Sequence, residues 1–357
     1  MKRIKYIDIL RGWAVLLMVF WHLDEALIAE SIRETTLFNI SQFIGGIVAP
    51  LFLFSSGASH AILILKKRDS FISLTPVLKK RILRIFQILV VAYLLHLPEG
   101  EFWSVILSRS GAAYISFINM DVLHLIAVSL LLLQILFLLI KDNKKYFYVI
   151  CYAAVITILA TPYIWQIRFS TILPIEMASS LNNLTGSLFP VFPWLAYVFM
   201  GAALMQLLLE HPAEQKRILK LFFVSGIIMI TLGVIPELLK IKTSLYYDFW
   251  QTSPNIFLIK FGIVLVLLFL FSWLCEKFNY EMKIFSVFGQ ESLFIYVIHL
   301  LMIYGTGSYT LQTNFGRSLN WLELGIAYIL MISLLLVLGK LWGKLKKAYR
   351  EKFANKV

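Results

Sequence analysis

Long apolar runs recur along the whole of this 357-residue chain, and they constrain its fold more than any other feature. Nearly all are long enough to cross the hydrocarbon core of a bilayer, which is about 30 Å thick. Inside lipid, backbone polar groups must find partners within the chain, so such runs fold as helices. The sequence therefore predicts an all-α, polytopic membrane helix bundle with about ten transmembrane helices. The predicted spans lie at about 9–28, 43–65, 82–97, 121–140, 146–165, 188–209, 221–239, 255–274, 285–305 and 321–339.

Composition excludes the soluble class of proteins. Hydrophobic residues make up 60% of the chain, charged residues make up 15%, and the mean hydropathy is +0.81. Soluble domains are about 45–50% apolar and about 25% charged. The net charge of +13 does not indicate a nucleic-acid partner, because Lys and Arg in membrane proteins collect in cytoplasmic loops beside anionic lipid. Cys151 and Cys275 lie in or near predicted spans, so no disulfide framework is expected.

The distribution of Lys and Arg predicts the orientation of the helices. If the N-terminus is cytoplasmic, most cations fall in cytoplasmic segments, at 2–5, 66–84, 141–145, 216–220, 277–283 and 340–356. Lys260 falls inside a span, and the outer segments hold only Arg33, Arg109, Arg168, Lys240, Lys242 and Arg317. This asymmetry follows the positive-inside rule, so both termini are predicted to be cytoplasmic.

No linker or soluble segment interrupts the pattern of spans. Residues 1–357 are therefore predicted to form a single integral-membrane domain. The amphipathic segment 101–118 is predicted to be an interfacial or re-entrant piece rather than a further span.

The first predicted helix carries ionisable residues along one face. At about 100° per residue, Asp8, Arg11, His22 and Glu25 fall on a single stripe. Arg11 and His22 are about 16 Å apart along the helix axis. Ionisable groups within a span are costly and usually face the protein interior or a wet cavity. The stripe therefore suits a site that holds an anion near the cytoplasmic face and transfers a proton near the outer face. An ordinary i,i+3 ion pair between Asp8 and Arg11 is the alternative.

Further polar residues within the spans are candidates for ligand contacts. His22, His96, His124 and His299 lie at similar outward depths in the predicted topology, and Asp121 lies one turn from His124. We predict that His124, Asp121 and His299 contact a substrate. The alternative for each histidine is a structural hydrogen bond between helices, and for His124 a simple pairing with Asp121. The sequence contains no His-x3-His motif and no Cys pair, so no metal is expected.

Two cations stand at the cytoplasmic end of the third predicted helix, Arg81 and Arg84. Guanidinium groups bind phosphate oxygens well, so both suit a phosphorylated ligand. Cations at this depth are also typical topology signals, and the sequence leaves both interpretations open.

Five segments, in order along the chain, carry a family pattern. The first helix contributes Asp8, Arg11, Gly12, Met18 and His22, and the others are PLFLFSSGAS at 50–59, DVLHLIAVSLLLL at 121–133, FPVFPWLAYVFMGAAL at 189–204 and GQESLFIYVIHLLMIYG at 289–305. Each segment is mostly apolar and is weak alone. Together they resemble the heparan-alpha-glucosaminide N-acetyltransferase family of membrane acyltransferases, which is related to the bacterial O-acyltransferases.

The resemblance implies a bundle of ten or eleven helices that is an acyl-CoA-dependent acyltransferase. The acyl group, expected to be acetyl, passes from cytoplasmic acyl-CoA to a hydroxyl or amine of a sugar, glycan or glycolipid at the outer face. His22 is the expected general base, because histidine titrates near neutral pH, and Glu25 is expected to orient its ring. The residues expected to bind CoA, which is a polyanion, are Arg11, Asp8, Arg81 and Arg84.

In one respect the sequence departs from the lysosomal enzymes of this family. Those enzymes place their catalytic histidine in the loop after the first helix, with an asparagine near the position of His22. The loop 23–42 here contains no histidine. Either His22 takes over the role, as in the bacterial O-acyltransferase pattern, or the chemistry differs, and both O- and N-acylation stay open.

The expected partners are acyl-CoA, the sugar acceptor, the lipid bilayer and, in a homodimer, a second copy of the chain. The expected location is a bacterial cytoplasmic (inner) membrane. A transporter or flippase of a lipid-linked or small anionic substrate is the alternative function, because broken helices and buried charges also suit transporters. A structural partner without activity would leave the stripe of Asp8, Arg11 and His22 unexplained.

Overall fold

The computed structural model describes residues 4–66, 75–97, 102–239, 248–278, 283–305 and 310–354. Within these residues the regular structure is helical, apart from one isolated bridge that pairs Ile28 with Leu319. The predicted all-α fold class is therefore confirmed.

In chain order, the described α-helices are α1 (Lys5–Leu27), α2 (Thr36–Lys66), α3 (Pro76–Leu95), α4 (Phe102–Ser108), α5 (Gly111–Ile118), α6 (Val122–Leu139), α7 (Asn143–Ile164), α8 (Ile175–Leu181), α9 (Val191–Glu210), α10 (Gln215–Leu238), α11 (Pro254–Phe278), α12 (Lys283–Gln290), α13 (Ser292–Tyr304), α14 (Leu311–Phe315) and α15 (Trp321–Ala354).

Eight of the described helices are long and apolar enough to cross a bilayer, namely α1, α2, α6, α7, α9, α10, α11 and α15. Each of them overlaps one predicted span. The number rises to nine if the bent pair α12 and α13 counts as one span. The chain is thus an integral membrane protein, while the cytoplasmic location of both termini remains a prediction.

The third predicted span is a helix, but a more polar one than expected. α3 begins at Pro76, directly after Thr75, whose side chain accepts a hydrogen bond from the backbone N–H of Leu78 at 3.3 Å. Its first three turns carry Lys79, Lys80, Arg81 and Arg84. Because of these cations, α3 is not among the eight apolar helices, and the described helices support eight or nine spans rather than about ten.

The ninth predicted span, 285–305, is broken rather than straight. α12 and α13 meet at an angle of 85°. Between them, Glu291 has a non-helical backbone (φ −103°, ψ 19°), and its carboxylate is ion-paired with Lys346. Gly289, just before the break, packs so closely on α1 that a Cβ there would overlap the Asp8 carbonyl. The polar stretch GQES at 289–292 interrupts the apolar run at the position of this break.

The chain clusters into two compact units. The terminal unit consists of residues 2–52 and 270–357, and the central unit consists of residues 53–269. In the terminal unit, Val15 and Leu23 pack in one fully buried core with Phe288, Ile295 and Leu335. The single domain predicted for 1–357 remains a prediction.

Small residues bring helix backbones into contact in the central unit. A Cβ on Gly57 of α2 would overlap the Val198 carbonyl of α9, and a Cβ on Gly201 of α9 would overlap the Phe54 carbonyl of α2. Close approach at small residues is typical of membrane helix pairs. The motifs at 50–59 and 189–204 therefore meet through their glycines.

Candidate active site

Two of the histidines predicted to be site residues lie next to each other in the terminal unit. The ring centroids of His22 on α1 and His299 on α13 are 5.1 Å apart. His22 is half-buried and His299 is 0% exposed. The Nδ1–H of His299 donates to the Ile295 carbonyl at 2.9 Å, while its Nε2 is buried and has no partner among the described residues. His299 therefore retains one lone pair that can accept a hydrogen bond.

Tyr304 completes this pair, and sequence reasoning missed it. Its hydroxyl donates to the backbone carbonyl of His22 at 3.0 Å and lies 3.4 Å from Nδ1 of the same residue. Because the hydroxyl proton is committed to the carbonyl, the phenol oxygen can accept from Nδ1–H. That arrangement leaves Nε2 of His22 as the basic atom. The only signal in the sequence was the position of Tyr304 in the same predicted span as His299.

Glu25 has partners other than the one predicted. Its Oε1 accepts from Arg33 at 2.5 Å and lies 3.7 Å from a guanidinium nitrogen of Arg317. Arg317 also donates to Glu30 at 3.1 Å. Among the described residues, the group that hydrogen-bonds the His22 ring is Tyr304. Glu25 belongs to an ion-pair network at the C-terminal end of α1.

Asp24, beside Glu25, forms a buried clamp between α1 and α2. It is 0% exposed, and its Oδ2 accepts from the Ser41 hydroxyl at 2.6 Å and from the Gln42 amide at 3.1 Å. The Gln42 carbonyl in turn accepts from the Trp21 indole at 2.8 Å. A buried carboxylate requires such donors, so the clamp holds the end of α1 that carries His22.

We predict that Ser41→Ala destabilises the protein by about 1–3 kcal/mol, because it leaves a buried carboxylate oxygen short of a donor. Thermal unfolding of the detergent-solubilised protein measures the effect. Ser318→Ala is the matched control, since that serine is exposed and its hydroxyl, within the described structure, donates to the nearby Phe315 carbonyl. Equal melting temperatures for Ser41→Ala and the control would contradict the clamp.

The predicted anion-binding residues divide between the two units. Asp8 and Arg11 are half-buried in the first turns of α1, and both have interaction partners. In the central unit, Arg81 donates to Nδ1 of the fully buried His60 at 3.1 Å, while Arg84 is exposed. Arg81 has no carboxylate partner within the described residues, so it is the better candidate of the two for an anionic ligand.

His124 and Asp121 lie close to His96 in the central unit, whereas His299 belongs to the terminal unit. Asp121 caps α6, and its Oδ1 accepts from Nδ1 of His124 at 2.8 Å and from two backbone N–H groups at 2.9 Å. The alternative considered for His124, pairing with Asp121, is thus observed. Nε2 of His124 is buried without a partner in the described structure.

These three residues could also hold a cation. One ligand atom from each of His96, Asp121 and His124 lies within 4.8 Å of the others, and two histidines with a carboxylate are a zinc ligand set. The Nδ1–H of His96 donates to the Ala92 carbonyl at 2.9 Å, which leaves its Nε2 for a ligand. Sequence spacing could not reveal the trio, because His96 and Asp121 lie in different elements.

Comparison with known families assigns the chain to one of them. Residues 3–234, more than half of its length, match the family model described as heparan-alpha-glucosaminide N-acetyltransferase, catalytic. The chain belongs to this family. The resemblance inferred from the five motifs is confirmed, and the protein is a member of a transmembrane acetyltransferase family. No curated protein matches the chain.

The match to the N-acetyltransferase family covers α1 with His22, and it covers Arg81 and Asp121. His299, Tyr304 and Lys260 lie beyond residue 234. The partners of His22 therefore come from a part of the chain that the family model does not match.

Proposed function

We propose that this protein transfers an acetyl group from cytoplasmic acetyl-CoA, or another acyl-CoA, to a sugar, glycan or glycolipid at the outer face, with His22 as general base. The observation that carries the proposal is the His22–His299 pair with Tyr304 beside it. Family membership supports acetyl transfer, and the positive-inside charge pattern supports a cytoplasmic donor side. A bacterial cytoplasmic membrane and a homodimer belong to the same proposal.

In the proposed reaction, His22 carries out one proton transfer. Its Nε2 takes the proton of the acceptor O–H or N–H as that oxygen or nitrogen attacks the thioester carbonyl. A C–O or C–N bond forms, the C–S bond breaks, and CoA leaves as the thiol after taking up the proton from the imidazolium. Nε2 of His299 is available to accept a hydrogen bond from the acceptor and so position it.

On the donor side, Arg11 and Arg81 are proposed to bind phosphate groups of CoA. Arg11 lies on the same helix as His22, about 16 Å away along the axis. Arg81 is a half-buried cation without a carboxylate partner among the described residues. Asp8 is proposed to orient Arg11, and the exposed Arg84 adds positive charge at the cytoplasmic side.

A transporter or flippase of a lipid-linked or small anionic substrate is the second candidate. The 85° break between α12 and α13 favours it, because transporters use discontinuous helices around their substrate sites. Binding of acetyl-CoA separates the two functions.

Acetyl-CoA is expected to raise the melting temperature of the purified protein, since a ligand at 100 times its Kd adds about 2.7 kcal/mol to the free energy of unfolding. Arg11→Ala should abolish that shift because it removes the cation for the CoA phosphates. Lys220→Ala, which removes an exposed cation of α10, is the control and should keep the shift. No shift for the wild-type protein at millimolar acetyl-CoA would favour the transporter.

Tyr304→Phe is expected to lower kcat for acetyl transfer by about 3- to 10-fold, because one hydrogen bond contributes about 0.5–1.5 kcal/mol. The KM for acetyl-CoA should not change, since the hydrogen bonds of Tyr304 within the described residues go to His22, which is not proposed to bind CoA. Tyr163→Phe, at an exposed tyrosine of α7, is the control. An unchanged kcat in Tyr304→Phe would remove this residue from the site.

A further inference from the structure

A cavity of about 300 Å³ lies within the central unit, and none of its lining residues is used by the proposed function. Its wall is formed by the first turns of α9 and α11, the segments that precede these two helices, and Trp165 just after α7. Its aromatic lining includes Trp165, Trp194, Tyr197, Trp250 and Phe257. The volume is at the lower end of the range for small-molecule pockets, about 300–1,000 Å³, so it suits a single small ring rather than an oligomer.

Lys260 of α11 is the charged residue of the cavity wall. Its Nζ lies 5.7 Å from the centroid of the Trp194 ring, and within the described residues it makes no ion pair and no hydrogen bond. An ionisable group inside an apolar membrane helix is costly and usually has a partner or a function. A half-buried ammonium with only an aromatic neighbour is therefore suited to an anion supplied by a ligand.

The remaining lining combines flat aromatic faces with amide groups. Trp250 is 58% exposed at the mouth, whereas Tyr197 and Phe257 are buried in the wall. The Asn183 amide reaches the Gln251 carbonyl at only 3.5 Å, so both amides retain hydrogen-bonding capacity. Aromatic faces with a few convergent polar groups form a typical small-molecule site. This lining would contact the C–H face of a sugar ring and bind its hydroxyls.

We propose that this Lys260 cavity binds a single sugar ring that carries an anionic group, either a carboxylate or a phosphate. The anion pairs with Lys260, the ring packs on the tryptophans, and the hydroxyls bond to Asn183 and Gln251. In the proposed orientation the cavity opens at the outer face. The inference does not depend on acyl transfer, because a binding site can exist whether or not His22 acts as a base.

Equilibrium binding to the full-length protein in nanodiscs, followed by calorimetry and tryptophan fluorescence, tests the proposal with four probes. D-glucuronate carries the carboxylate, D-glucose 6-phosphate carries the phosphate, D-glucose has the ring alone, and acetate has the charge alone. We expect one of the anionic sugars to bind at least tenfold more tightly than glucose or acetate. Which one binds identifies the anion. Equal affinity for glucose and both anionic sugars, or no binding of either anionic sugar at 10 mM (about −2.7 kcal/mol), overturns the proposal.

Variants of Lys260 test whether this residue causes the preference for an anionic sugar over glucose. Lys260→Gln should reduce the affinity for the anionic sugar to that for glucose, and Lys260→Arg should retain most of it. Lys277→Gln is the matched control, since Lys277 lies on the same helix with its Nζ 4.7 Å from the Trp273 ring. Unchanged selectivity in Lys260→Gln overturns the role of the lysine. If that variant does not fold, Trp250→Ala, at an exposed position, should still weaken sugar binding by about tenfold, and full affinity in it overturns the site.

Discussion

His22→Ala is expected to lower acetyl transfer by about 10²- to 10⁴-fold, which is the usual contribution of a general base. Without the imidazole, nothing at this point of α1 can take the acceptor proton while the thioester carbonyl is attacked. The variant should still bind acetyl-CoA, because the residues proposed for CoA are three turns away on α1 or in α3. Transfer of labelled acetyl groups in vesicles and the ligand-induced rise in melting temperature measure the two effects separately.

Two further variants make this result interpretable. His211→Ala removes an exposed histidine whose ring, among the described residues, hydrogen-bonds the nearby Leu207 carbonyl, and it should keep wild-type transfer. His22→Asn keeps a polar side chain at the site without a base, and it should be as inactive as His22→Ala. Transfer at the normal rate in both His22 variants would show that His22 is structural and that the proton goes elsewhere.

Gly12→Ala is expected to destabilise the protein by about 1–3 kcal/mol or more, since overpacking a rigid contact has a cost of this size. A Cβ at this position of α1 would overlap the backbone carbonyl of Phe285 on α12, where neither backbone can give way by a side-chain rotation. Because α12 and α13 hold His299 beside His22, the substitution should also lower transfer. Thermal unfolding followed by circular dichroism gives the stability.

Gly325→Ala is the matched control for the backbone effect of this change. Gly325 lies in α15 with open space where a Cβ would be added. Alanine there should stabilise the protein by about 0.4–1 kcal/mol, because it lowers the conformational entropy of the unfolded chain. Gly289→Ala, which meets the Asp8 carbonyl in the same α1–α12 contact, should resemble Gly12→Ala. A melting temperature for Gly12→Ala as high as that of the control would contradict the close packing of these helices.

Much of the helical architecture was predictable from hydrophobicity. The runs that became α1, α6 and α11, for example, are apolar over most of their length, and the cost of exposing a polar backbone to lipid leaves a helix as the only outcome. The inward face of α1 was also predictable, because Val15 and Met18, between Arg11 and His22 on the stripe, are buried. The third predicted span was less well determined, since the cations at the start of α3 leave it too charged to count among the apolar helices.

Within the candidate site, individual residues were foreseen but their partners were not. Both His22 and His299 were singled out, yet their 5.1 Å ring contact depends on the angle between α12 and α13. The polar GQES at 289–292 marks where that break lies but not its angle. Glu25 was assigned to His22 because it lies one turn further along the same helix. In the folded chain Arg33 and Arg317 reach Glu25 from other elements, and long-range charge pairs of this kind have no signature in local spacing.

Membrane class, helical secondary structure, family and the inward stripe of α1 all follow from properties that are local along the chain, summed over some twenty residues of each span. The pairing of His22 with Tyr304, the trio of His96, Asp121 and His124, and the isolation of Lys260 among tryptophans follow from how helices pack against each other. Packing is set by the shapes of small residues such as Gly12 and Gly289 at points of backbone contact. Residues far apart in sequence come into contact there, and the sequence pattern of a single helix does not reveal these contacts.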